Sequence, residues 1–114
     1  MIAYKHRFHG HNSLRFVYAH GKTYRGQLLS IRIAENAGRI EYRCAVVVSK
    51  KISKSAVKRN RMRRRLYEIV RKNQDTIKIP ADIVITVFSD DILTTDHANL
   101  EATVLRLLMQ SRVI

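Results

Sequence analysis

Hydrophobic and polar positions recur along this chain with two periods. At 100° per residue, Met62, Leu66, Ile69 and Val70 fall at i, i+4, i+7 and i+8 and make one apolar stripe. Arg61, Arg64, Arg65 and Glu68 lie on the opposite side. The pattern predicts an amphipathic helix that starts near Ser53 or Ser55 as its cap and frays by Asn73. Leu100, Val104, Leu107 and Leu108 repeat the spacing in a closing helix over residues 96–111, with Asp96 favouring its N-terminal dipole. After Gly26 the period drops to two: Leu29, Ile31 and Ile33 face one way, Leu28, Ser30 and Arg32 the other, as in a half-buried strand. Residues 36–38 make a turn. Residues 39–48 then read as a second long strand, with Ile40, Tyr42, Cys44, Val46 and Val48 on one face and a bulge or break left open. Beyond Pro80, residues 81–88 are apolar on both faces, which suits a strand covered on both sides. A short helix over residues 14–20 has Leu14, Val17 and Tyr18 on one side, Asn12 or Ser13 as cap and Gly21 as a left-handed stop. Residues 1–11 read as an irregular basic arm, and residues 89–95 as a polar loop.

The order helix, strand, strand, helix, strand, helix predicts one α+β domain over residues 1–114, with a strand–helix–strand crossover carrying the basic helix. A hydrophobic content of 46 % over 114 residues supports a real core. Charge changes the picture most. The chain carries 22 Lys and Arg against 9 Asp and Glu, a formal charge of +13 with a pI near 10.6. Residues 1–72 hold 19 of the bases and 3 acids, whereas residues 73–114 hold 3 bases and 6 acids. Positive charge confined to one part of a fold marks a nucleic-acid binder. The single cysteine, Cys44, forbids an intramolecular disulfide and suits a reducing cytosol. No apolar run approaches the roughly 18–20 residues of a membrane span, and the first residues lack a signal-peptide core, so a cytoplasmic protein without membrane contact is expected.

Six bases in the eight positions 58–65 are too one-signed for an ordinary solvated helix face, which mixes charges. Like charges at i,i+4 repel by a few tenths of a kcal/mol per pair, roughly, and a polyanion relieves that repulsion. Asn60 stands among the guanidiniums and adds no charge. Its amide can meet a base edge, a 2′-hydroxyl or a neighbouring backbone group, or it can pair with a nearby arginine. Tyr18 is a candidate for stacking on single-stranded RNA, while Phe16, two positions away, points to packing. His6, His9, His11 and His20 cluster at the start; His9 and His11 could touch a metal, but with no Cys or carboxylate near in sequence two ligands are too few for a zinc site, and a solvated polar arm or extra phosphate contacts are expected. Cys44 reads as core. Asp82, Asp90, Asp91 and Asp96 lie away from the basic region, at loop and cap positions, so no catalytic or metal-binding residue is expected on this chain.

The run Val48-Ser49-Lys50-Lys51, a short loop, and Arg59-Asn60-Arg61 followed by Arg63-Arg64 resembles the signature of the bacterial ribonuclease P protein subunit. The segment from Arg7 to Ile33 is similar to that family's first helix and strand, residues 81–87 to its last strand and residues 97–108 to its closing helix. The resemblance implies a two-layer α/β sandwich with a small mixed sheet and a left-handed crossover, against the right-handed norm. It implies further that the RNA subunit of ribonuclease P is the catalyst and that Mg²⁺ is bound mainly by that RNA. The protein would bind the RNA one-to-one as a monomer and hold the 5′ leader of precursor tRNA between the first helix and the sheet. Carried over, the RNA-binding residues are Lys50, Lys51, Lys54, Lys58, Arg59, Asn60, Arg61, Arg63 and Arg64; the leader cleft takes Leu14, Tyr18, Ser30, Arg32 and Val47. Leu14 stands where the family commonly has Phe, Arg32 where some members have Tyr, and Tyr67 where a further basic residue is common. Arg32 thereby exchanges a stacking platform for a phosphate contact.

The function so implied is assistance in endonucleolytic removal of the tRNA 5′ leader. A ribosomal or RNA-assembly protein without an associated reaction is the alternative. A DNA-binding repressor would need the paired short helices and dimer seam that this pattern lacks.

Overall fold

The computed structural model describes residues 6–8, 11–36, 38 and 40–114. In chain order these form α1 (His11–His20), β1 (Lys22–Arg25), β2 (Leu29–Glu35), β3 (Arg43–Val47), α2 (Ala56–Lys72), β4 (Ala81–Val87) and α3 (His97–Gln110), with short 3₁₀ turns at Gln74–Thr76 and Asp90–Leu93. The four strands make one sheet in the order β1-β2-β4-β3. β1 pairs antiparallel with β2, β2 antiparallel with β4, and β3 parallel with β4. The sheet is therefore mixed, and the connection between the parallel pair is α2, the predicted basic crossover helix.

The apolar stripes explain the layering. Met62, Leu66, Ile69 and Val70 of α2 and Leu100, Val104, Leu107 and Leu108 of α3 are all buried. They pack on Leu29, Ile31, Ile33, Cys44, Val46, Ile83 and Ile85, which form one face of the sheet. α1 lies on the other face, where Val17 is buried against Ala34 and Val84, with Phe8, Leu14 and Val47 packed at the margin. β4 is covered on both sides, as its two-faced apolar sequence requires. Residues 6–8 run along β3, where Arg7 makes a parallel bridge to Cys44 that covers part of that strand's free edge.

Several expectations need correction. The strand expected over residues 39–48 is limited to Arg43–Val47, and Ile40, expected on one face with Tyr42, Cys44, Val46 and Val48, is 96 % exposed while those four are buried. Arg39 lies outside the described residues. The register explains the shortening: Arg43 sits opposite Asp82, so residues further upstream would face Pro80, which has no N–H to give. β1 is a strand that periodicity did not reveal, because its four residues are mostly exposed. The first helix begins at His11, so Asn12 and Ser13 fall within its first turn rather than ahead of it. Gly21 has no left-handed φ; its role is close approach, since a Cβ there would lie 2.6 Å from the Val17 carbonyl oxygen and 3.0 Å from that of Ile33. Leu28, expected opposite Leu29, lies before β2 and packs toward the main core.

Candidate RNA interface

α2 starts where Ser55, in extended backbone, accepts from the Lys58 N–H at 3.3 Å. The preceding loop is wound into one turn by Ile52 and Ser53, whose N–H groups donate to the Ser49 carbonyl. Arg59 ties that turn to the helix by donating from Nη1 to the Ser53 carbonyl at 2.9 Å. Lys50, Lys51 and Lys54 are exposed on this fixed loop. The helix is held against β3 by Tyr67, whose hydroxyl accepts from the Val46 N–H at 3.1 Å. Burial raises the Tyr67 hydroxyl above the usual tyrosine range, so it stays neutral in this role.

With the apolar stripe turned inward, Lys58, Arg61 and Arg64 point to solvent one turn apart. Among the described residues, none offers these three a carboxylate or a hydrogen-bond acceptor. They line a groove of about 570 Å³ whose far wall is Leu93 and Thr94. Arg65, grouped above with the outward face, is half-buried and builds that wall: its guanidinium donates to the Ile92 carbonyl and, at 2.8 Å, to the Thr95 carbonyl. Arg63 donates to Asn60 Oδ1 at 2.7 Å, so the arginine-pairing alternative for Asn60 is realised while its amide N–H₂ remains to donate. At the far end Arg71 chelates Glu68 at 3.0–3.2 Å and, as the main cause, holds that carboxyl down to about 2.

The second face of the sheet, on which α1 packs, is where the expected leader cleft falls. Residues opposite one another across strands share a face, so Thr23, Arg32, Val84 and Ala45 form one row, and Arg25, Ser30, Thr86 and Val47 the next. α1 covers the Ala34–Val84 region through Val17. Leu14 is half-buried at its margin, and Tyr18, one turn on, is 48 % exposed. The predicted cleft residues Leu14, Tyr18, Ser30, Arg32 and Val47 thus come together on one side of the sheet. Arg32, however, serves first as a brace. It donates from Nε to the Val17 carbonyl at 3.1 Å, from Nη2 to the Tyr18 carbonyl at 2.5 Å and from Nη1 to Thr23 Oγ1 at 2.6 Å. Two carbonyls at the end of α1 gain partners this way. Phe16 packs against His20, with ring centroids 4.8 Å apart.

Periodicity did not place Thr86 and Arg25 in the row with Ser30 and Val47, although Thr86 is the one hydroxyl within an apolar run. It also placed Asp82 among loop acids. Asp82 is instead buried within β4, paired with Arg43 through two 2.9 Å hydrogen bonds and with Asn36 at 3.1 Å, and Phe8 lies 4.7 Å from the Arg43 guanidinium carbon. His6 stacks on Tyr42 at 4.2 Å; His9 lies outside the described residues. Cys44 is buried, which pushes its thiol up to about 12. Among the described residues, no group of three or more His, Cys, Asp or Glu could hold a metal ion.

The family model described as Ribonuclease P matches residues 2–112. The chain belongs to the ribonuclease P protein family. The ribonuclease P protein component of Pseudanabaena sp. is 39 % identical over 76 % of this chain and 75 % of that protein. Its counterpart in Synechococcus sp. is 36 % identical, with the match spanning 60 % of this chain and 61 % of the relative. The RNase P protein of Thermotoga maritima shares the fold at a TM-score of 0.76 and 25 % identity, covering 85 % of this chain and 89 % of its own. That of Staphylococcus aureus does so at 0.83 and 18 %, covering 95 % and 96 %. The ribonuclease P holoenzyme is an endoribonuclease, and its protein component works within a ribonucleoprotein. No described helix is long and apolar enough to cross a membrane.

Proposed function

We propose that this chain docks onto the RNA subunit of ribonuclease P through Lys50, Lys51, Lys54 and the outward face of α2, one protein per RNA, in the cytoplasm. The cleft of Leu14, Tyr18, Ser30, Arg32 and Val47 then receives the 5′ leader of precursor tRNA. The observation that carries this reading is the trio Lys58, Arg61 and Arg64, exposed and without partners among the described residues, on a helix whose other stripe is buried. Each phosphate neutralised releases condensed counterions, which gives affinity without sequence preference. Arg59, Arg63 and Arg65 each make a bond within the protein, which holds the loop, Asn60 and the 3₁₀ turn in place around the free cations.

Mg²⁺ belongs to the RNA in this proposal. Asp82 is committed to Arg43 and Asn36, and the described residues offer no carboxylate cluster for an ion. The protein's share is electrostatic: it lowers repulsion between two RNAs and lengthens the grip on the substrate. Arg61→Glu combined with Arg64→Glu tests it. RNA affinity at moderate salt should fall sharply while circular dichroism and the melting temperature hold. Undiminished affinity in a folded double variant would refute the assignment of this face.

A further inference from the structure

We propose that Phe88 and Arg25 form a stacking seat for an unpaired RNA base at the open end of the cleft. The seat extends the leader path and rests on that reading. Phe88 is 38 % exposed, one of the large apolar side chains the fold leaves open to solvent. It follows β4 directly. Its N–H donates to the Leu28 carbonyl at 2.8 Å, which keeps it in line with the ladder. Asp82, Val84 and Thr86 alternate onto the α1 side of the sheet, and Phe88 is the next residue in that alternation.

Arg25 is its neighbour on that side. It belongs to the floor row with Ser30, Thr86 and Val47, and its guanidinium carbon lies 5.2 Å from the Phe88 ring centroid. An isolated exposed aromatic is ordinary on a protein surface. One that shares the cleft floor, carries a cation over its ring and sits where β3 hands over to the basic loop at Lys50 and Lys51 is better placed. A strand of RNA leaving the cleft at this end would find a π-face for a base and a guanidinium for the adjoining phosphate. The ligand is single-stranded, because bases inside an A-form duplex have no free face to offer.

The test uses the reconstituted holoenzyme and precursor tRNAs whose leaders are shortened one nucleotide at a time. Phe88→Ala should weaken binding about fivefold to tenfold for long leaders and not at all for the shortest. Phe88→Trp should preserve the leader dependence. Phe88→Leu, which keeps apolar bulk without a π-face, should behave like Phe88→Ala. The seat is overturned if the wild type gains affinity with leader length and Phe88→Ala gains it equally. It is also overturned if Phe88→Leu retains full affinity, since packing would then be the role. Should the wild type itself show no gain with leader length, the leader reading fails and the seat goes with it.

Discussion

Arg64 and Arg65 are neighbours in sequence with opposite duties. Arg64 faces the groove without a partner among the described residues, whereas Arg65 reaches across to two backbone carbonyls in and just after the 3₁₀ turn. Arg64→Ala should therefore lower the slope of log K against log salt by about 0.7–0.9. Arg65→Ala should leave that slope alone and lower unfolding free energy by about 1–2 kcal/mol in a urea titration. Sequence could not distinguish them, because the partners of Arg65 are carbonyls 27 and 30 positions away, and every residue has a carbonyl. The same blindness hid the brace made by Arg32, whose acceptors lie 14 and 15 positions back. Glu68 offers a check on pH. Its carboxyl is lowered from 4.5 to about 2, chiefly by Arg71, so the pair's contribution is present above the ordinary carboxylate range and is lost as pH falls toward 2. In an NMR titration Arg71→Ala should return the Glu68 midpoint toward its ordinary value; an unmoved midpoint would remove Arg71 as the cause.

Elements whose burial is periodic were legible in advance, and the others were not. α2 and α3 bury the residues their stripes named, since a helix that gives one face to a core must repeat at 3.6. β4 announced itself by being apolar throughout. β1 could not, because a short exposed strand has no period; its existence depends on the free edge of β2. β3 looked longer than it is because Ile40 continues the alternation, yet alternation cannot show where the neighbouring strand stops offering hydrogen bonds. The row beside α1 was half legible: the family resemblance named Ser30 and Val47, while Arg25 and Thr86 needed the register. The α2 stripe is what fixes the cationic face in space, so Leu66→Ala should cost about 2–5 kcal/mol of stability, read by thermal or denaturant melting. RNA affinity should fall only with the folded fraction.

At the scale of the molecule, a core with a Cα radius of gyration of 13.1 Å supports the two surfaces proposed to meet RNA. One is the groove along α2, the other the cleft beside α1, and the basic loop at residues 49–55 joins them. The positive excess lies in residues 1–72, which supply the cations of both surfaces. The most direct test is cleavage of precursor tRNA by the cognate RNA subunit at low Mg²⁺, with the wild-type chain, with the Arg61→Glu and Arg64→Glu double variant, and with the chain alone. The wild type should restore 5′ processing, the double variant should not, and the chain by itself should cut nothing. Cleavage by the isolated polypeptide, or full rescue by the double variant, would contradict the account.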